Sequence, residues 1–445
     1  MSNNLAGSNS YLQIQPSNQT STGRISYKDG NPVLNFIIGE QDRYLIGSSV
    51  RLVGNISIYK TASGDFGNIP VAGDDLNVSP KLSTYGILDQ IVLSSQQNKN
   101  VIEHVRHYGR FLASYLPAIA SKQEAIGHLS VTSNMIPNYE GNQIQYVQNV
   151  NGSSATDRNF RGNSFCLNLP TGFLNSKQPI GLSGKGWGVG GLEISIHLTP
   201  DSQFLKGAFT NAFYQLTDVN LICEVINPSV DELSRLMKQT SGTMEYNAIS
   251  SYYTTIASSN AIINFRLGLS RVLGIFMNFI PSTYLNNYSY DGFQTTPLIN
   301  DLASEDIAEI KQLIFLRGGE RVGLAYNLDT NVRDDPNSTI SDPDLVRNYI
   351  NSFVPFMKDN KTQISPYTNN RVGFDNQLEF LDAGQMFGVG VAFDTISGEG
   401  LDFRTENFGL QAEVGLTEDN PHSAFLYVRS KQTLVFNANG LQVIQ

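Results

Sequence analysis

Charge is scarce in this chain. Asp, Glu, Lys and Arg make up 16% of the 445 residues, against roughly a quarter in ordinary soluble domains. That excludes a highly charged helical protein. Acidic residues outnumber Lys and Arg by 40 to 30, giving a formal charge of -10, and no block of Lys and Arg occurs. A basic groove for direct, sequence-specific nucleic-acid binding is therefore not expected. Cysteine is scarcer still. Cys166 and Cys223 both lie in apolar, strand-like runs, SFCLNL and NLICEVI, and are read as buried thiols, not as a disulfide framework. The opening MSNNLAGSNSYLQIQPSNQTST has no basic segment leading into an apolar one, so no signal peptide is expected. No run reaches about 18 apolar residues, so no membrane-spanning helix is expected either.

Catalytic signatures are missing as well. Of five histidines, only His104 and His107 sit close together, three apart, and no H-E-x-x-H accompanies them. His197 alternates with apolar residues in ISIHLTP and reads as an outward strand position. The glycine-rich SGKGWGVGG (183–191) lacks the G-x-x-x-x-G-K-[ST] order and leads into a strand instead of a helix. A tight turn beside a closely packed strand is expected, with Trp187 at an edge or contact. Asp301, Glu305, Asp306 and Glu309 read as a solvated helix face. Arg333, Asp334 and Asp335 lack the spaced oxygens of a calcium loop. No catalytic residue, metal site or cofactor is assigned, and the chain is not expected to be an enzyme.

Strand patterns supply what is present. Hydrophobic residues reach 40%, enough with this length for two full cores. Residues 1–30, rich in Ser, Asn, Gln and Thr, read as a flexible arm that orders only against a partner. Val50, Leu52, Ile56 and Ile58 alternate with a phase slip near Val53 and Gly54, the mark of a bulge. Leu192, Ile194, Ile196 and Leu198 alternate without a slip. Leu216, Val219, Leu221 and Cys223 alternate with another slip and are expected to open a second domain. INFRLGLSRVLGIFMNFIP is the longest apolar stretch and reads as two linked strands or one bent strand.

Helical signals are few. Val101, Val105, Tyr108, Leu112 and Tyr115 form a stripe in VIEHVRHYGRFLASYL, with Glu103, Arg106 and Arg110 off it. Ser229, with Glu232 three residues on, forms a capping box. Further helical pieces are expected around 303–313 and 345–353. The pattern as a whole predicts an all-β chain of two consecutive β-sandwiches, with short helices and long loops between strands. The first sandwich spans 31–205, a linker 206–213, and the second 214–445 with a long insertion at 327–375.

Twenty Tyr and 24 Phe are spread through loops as well as strands. Aromatic side chains in neutral, Asn- and Ser-rich loops suit subunit contacts. The candidate interface residues are Tyr108, Trp187, Tyr252, Tyr253, Tyr284, Tyr288, Tyr290, Tyr349 and Tyr367.

The order YLIGSSVRLVGNISIY, GILDQIVLSSQQNKNVIEHVRHYGRFLASYL, GLSGKGWGVGGLEISIHLTP and YQLTDVNLICEVI resembles the double jelly-roll major capsid proteins of small double-stranded DNA viruses. The likeness is to the virophage and polinton-like members of the lineage that includes PRD1 and adenovirus. It implies two eight-stranded jelly rolls and a homotrimer that tiles an icosahedral shell. It further implies neighbouring capsomers, penton and minor capsid proteins as partners, with an internal membrane beneath the base as a further contact. Loops 60–84, 138–163 and 327–375 would form the outer towers. Two alternatives stand beside this reading: a minor capsid or spike protein of the same virus type, and a non-viral carbohydrate-binding protein with two sandwiches.

Overall fold

The computed structural model describes residues 9–19, 23–28, 30, 32–61, 75–79, 82–119, 130–133, 163–257, 260–293, 309–323, 328–329, 389–393, 399–415, 421–437 and 440–445. The first half carries β1 (Asn9–Ile14), β2 (Arg24–Ile25), β3 (Val33–Ile38), β4 (Tyr44–Tyr59), β5 (Leu76–Val78), β6 (Leu88–Ser95) and β7 (Val101–Val105). Helix α1 (Tyr108–Ile119) precedes β8 (Asn163–Asn168), β9 (Ile180–Gly181), β10 (Leu192–Leu198), β11 (Leu205–Gly207) and β12 (Phe213–Ile226). The second half carries β13 (Ser241–Ile256), β14 (Asn260–Phe265), β15 (Val272–Pro281), β16 (Glu309–Arg317) and β17 (Glu320–Arg321). It ends with β18 (Leu328–Asp329), β19 (Val389–Ala392), β20 (Phe408–Gly415), β21 (His422–Asn437) and β22 (Gly440–Ile444).

The strands assemble into two antiparallel jelly-roll sandwiches. One sheet of the first runs β1-β12-β4-β8, with β2 on β12 and β9 on β4, and the facing sheet runs β3-β10-β6-β7. In the second sandwich, β13-β21-β15-β19 (with β22 on β21) faces β14-β20-β16-β17 (with β18 on β16). The unbroken alternation of Leu192, Ile194, Ile196 and Leu198 puts all four in the first core. The apolar run at 260–281 is two strands, β14 and β15, in different sheets of the second sandwich.

Four sequence expectations need correction. The strand expected to open the second sandwich, β12, instead lies inside a sheet of the first, paired with β4 from Phe213↔Tyr59 to Ile226↔Tyr44. Its slipped alternation is a bulge. The register shifts between Thr217 and Asn220, where Asp218 takes a positive φ of 53°. Gly54, the phase slip seen in β4, lies opposite, where a β-carbon would come within 3.2 Å of the Thr217 carbonyl. Both slips thus report one irregularity.

The N-terminal arm is not free between Asn9 and Ile14. These residues form β1, an edge strand on β12, with Leu12 and Ile14 packed against the core. The helical stripe begins too early: 101–105 is β7, hairpinned onto β6. The chain breaks into α1 only after His107, at a positive φ of 51°. β-branched Val101, Ile102 and Val105 favour the strand. Residues 309–313, expected to be helical, begin strand β16; the rest of that segment and the 345–353 piece lie outside the described residues. Ser229 caps its helix as expected: its Oγ accepts from the Glu232 N–H at 3.2 Å, opening the helix Val230–Leu236.

The sandwiches share a core. In β15, Ile275, Met277 and Phe279 point into the second sandwich, whereas Phe276 and Ile280 join the core of the first. In β21, Leu426 and Val428 point one way and Phe425 and Tyr427 the other. A sheet buried on both faces needs apolar residues at successive positions, which is why this segment reads as a continuous run. Helix α1 lies in the seam, buried from Tyr108 to Leu116.

Candidate assembly interface

Little here is arranged for bond chemistry. Among the described residues, no group of three or more His, Cys, Asp or Glu is placed to hold a metal ion. His104 turns to Gln90, Nε2 to Oε1 at 3.3 Å. His107 packs against the Tyr253 and Phe425 rings, with centroids at 5.6 and 4.9 Å. Burial and then Arg110 and Arg106 push its imidazole down to about 4, so it is neutral at ordinary pH. The glycine-rich segment is a folded turn: the Val189 N–H donates to Gly181 O, and the Gln96 and Gln97 N–H groups donate to Gly191 and Gly190. Its positive-φ glycines, Gly186, Gly190 and Gly191, face Thr240, Gln97 and Gln96 where a β-carbon would fall. No free cradle remains there for a phosphate.

The candidate interface residues fall into four groups. Tyr108 and Trp187 belong to the chain's own interior, which corrects their expected place. Tyr108 is fully buried, and its hydroxyl donates to Pro170 O at 3.1 Å. Trp187 packs against Tyr44, centroids 5.2 Å apart. Tyr252 and Tyr288 are half-buried and tied down: Tyr252 donates to Leu267 O (3.2 Å) and Tyr288 to Ala212 O (2.9 Å). Tyr253, Tyr284 and Tyr290 present surface. Tyr253 is 48% exposed and Tyr290 38%, and Tyr284 stacks on Tyr290 with centroids 3.9 Å apart and planes 6° from parallel. Tyr349 and Tyr367 lie outside the described residues, as do most of the expected tower loops.

The seam holds polar residues that sequence reasoning placed elsewhere. β13 is bonded to β21 along one edge over its whole length. Its other edge is met by the first sandwich. Glu103, on β7, is buried. Its Oε1 accepts from the Ile249 N–H of β13 (2.7 Å) and from Gly172 (3.0 Å), and its Oε2 from Phe173 (2.8 Å). Burial raises this carboxyl to about 7, against the pull of those three amides and the Thr171 hydroxyl. The Arg106 N–H donates to Ser251 Oγ at 2.7 Å. An exposed sheet edge invites foreign strands; here a carboxylate and a loop close it.

Arg110 is the second buried charge. Its Nη2 donates to Gly292 O at 2.8 Å, and the guanidinium lies 4.6 Å from the Phe425 centroid. Desolvation lowers it to about 10, so it stays charged. Asn278 of β15 donates through Nδ2 to Arg110 O (2.8 Å) and Ser114 Oγ (3.1 Å). The loop after β15 then straps back over the first sandwich. Gly207 donates to Tyr288 O (2.6 Å), and Ser79 Oγ to Asp291 Oδ2 (3.0 Å). A partial sequence signal for both charges was present: Val101 and Val105 flank Glu103 at period two, and Tyr108, Phe111 and Leu112 surround Arg110.

No family model and no curated protein matches this chain. Solved structures do. The Faustovirus major capsid protein matches with a TM-score of 0.57 and 10% identity, over 97% of this chain and 91% of that one. A chain of the PBCV-1 virus capsid matches with a TM-score of 0.55 and 11% identity, over 99% and 97%. A chain of the Sputnik virophage matches with a TM-score of 0.55 and 13% identity, over 98% and 88%. At such identities the likeness is one of fold. The chain has the double jelly-roll fold of these viral major capsid proteins, end to end.

Proposed function

We propose that this chain is a major capsid protein, three copies of which form a pseudo-hexagonal capsomer that tiles an icosahedral virus shell. The observation that carries the reading is full-length agreement with capsid chains, 97% to 99% of this chain, with no additional described domain left to explain. Physics favours the same reading. Two sandwiches fused through a shared apolar core form one stiff block, so a threefold trimer places six sandwiches at set angles. Low charge limits repulsion between packed copies. Neighbouring capsomers, penton and minor capsid proteins would be the partners, and the virion the location.

Light scattering on the purified chain, with negative-stain imaging, tests the proposal. The expected result is a three-copy particle with a six-lobed outline. A persistent monomer at high concentration would sink it. Tyr253→Ser and Tyr290→Ser, both at partly exposed rings, should weaken the trimer by more than the loss of their contacts within the chain lowers the monomer's stability.

A further inference from the structure

We propose that the outer face of the sheet β1-β12-β4-β8 is where a second copy of this chain docks, covered by the second sandwich of that copy. This names the face that builds the trimer proposed above, and it rests on that reading.

An internal repeat carries it. The two sandwiches have one strand plan: β1-β12-β4-β8 matches β13-β21-β15-β19, and β3-β10-β6-β7 matches β14-β20-β16-β17. β13 is thus the counterpart of β1, and β17 that of β7. In the second sandwich the outer face of this sheet is not wet. Tyr246, Phe276, Phe425 and Tyr427 turn away from their own core and pack with that of the first sandwich. β7 meets the edge of β13, where the Tyr246 hydroxyl donates to Ile102 O and the Arg106 N–H to Ser251 Oγ, both at 2.7 Å.

Among the described residues, no sandwich lies over the matching face of the first. Cross-strand register sets Tyr11, Glu224 and Ile46 in one row there, Gln13, Ile222 and Arg51 in the next, and Asn220 with Val53 beyond them. Tyr11 is 72% exposed, and Ile46, Val53 and Ile222 are partly exposed. β1 ends the sheet, as β13 ends its own.

The same sheet position is therefore buried by a sandwich in one half and bare in the other. The sandwich available to cover the bare one is the second sandwich of another copy, with its β17 set against β1 as β7 is set against β13. Charge fits that pairing. Arg51 and Glu224 are the charges in those rows, and Glu320 and Arg321 are both exposed on β17, so each side offers one cation and one carboxylate. The contact joins two different surfaces of the chain. With threefold closure it gives a ring in which every sandwich covers the next.

Light scattering on full-length variants tests the assignment. Ile222→Glu places its carboxylate opposite Arg51 within the sheet, so the single chain loses little, whereas a docked copy would bury the added charge. The particle should fall from three chains to one at a concentration where the unaltered chain is a trimer. Val92→Glu puts the same charge on the outer face of β6, in the sheet whose counterpart carries Ile262 at 66% exposure, and should leave three chains together. A trimer that survives Ile222→Glu, or one that Val92→Glu breaks equally, overturns this proposal and leaves the capsomer reading standing. An unaltered chain that stays monomeric overturns both. Should Ile222→Glu fail to fold, Tyr11→Glu at the exposed edge strand makes the same test. It should also give single chains, and an intact trimer overturns the proposal.

Discussion

Gly172 sits so close to Asn247 that a β-carbon on the glycine would lie 1.8 Å from the asparagine's carbonyl oxygen. The first residue belongs to a loop of one sandwich and the second to the edge strand of the other. Any side chain there would push the two bodies apart beside the Glu103 carboxyl.

Gly172→Ala should therefore lower stability by about 1–3 kcal/mol, the scale of an overpacked position. Urea unfolding followed by far-ultraviolet circular dichroism would measure it. A loss under about 0.5 kcal/mol, typical of surface sites, would show that the seam yields easily.

His107 predicts part of the acid limb of the stability curve. Its folded value of about 4 lies below the unfolded 6.5, so the unfolded chain takes up a proton that the native chain refuses. The stabilising contribution is complete above pH 6.5 and is lost as pH falls towards 4. His107→Asn, which tolerates the positive φ, should flatten the difference in melting temperature between pH 7 and pH 5. An unchanged slope relative to wild type would remove His107 from the account.

Trp187 is the single tryptophan and is 5% exposed, so intrinsic fluorescence reports one place. Emission should be blue-shifted in the native protein and resistant to iodide. On denaturation it should shift red together with the circular dichroism signal. Iodide quenching of the native protein at the rate of free indole would contradict the packing of Trp187 on Tyr44.

Cys223 is buried, and desolvation pushes its thiol up to about 12. It should resist a thiol reagent at pH 8 in the native state and react at once in denaturant. Cys223→Ser should cost about 1–3 kcal/mol, because a hydroxyl would enter an apolar core. Rapid native labelling at this position would show that β12 opens.

The sandwich class, the alternating strands and the Ser229 helix cap were legible in the sequence because each depends on local pattern. Ser229 and Glu232 needed only their spacing, and Leu192 to Leu198 needed only period two. What was not legible depended on which body a segment joins. β12 carries the same apolar alternation whether it closes one sandwich or opens the next, and only its pairing with β4 decides. The 101–105 stretch has apolar residues that fit a helical stripe, yet Ile102 and Glu103 are both buried. That occurs when a strand is covered on two faces. Among the candidate tyrosines, ring type alone could not separate Tyr108, sealed inside, from Tyr253, open to solvent.

The middle sheet, β13-β21-β15-β19, has no face to spare. A polypeptide beginning at Ser241 would turn Phe276, Ile280, Phe425 and Tyr427 out to water, an apolar patch of the kind that aggregates. One ending before Ser241 would strip the cover from α1 and take Gly292 O from Arg110 and the Ile249 N–H from Glu103. Each half is thus the solvent shield of the other, and an exchange of one half for an unrelated one would have to supply a matching seam.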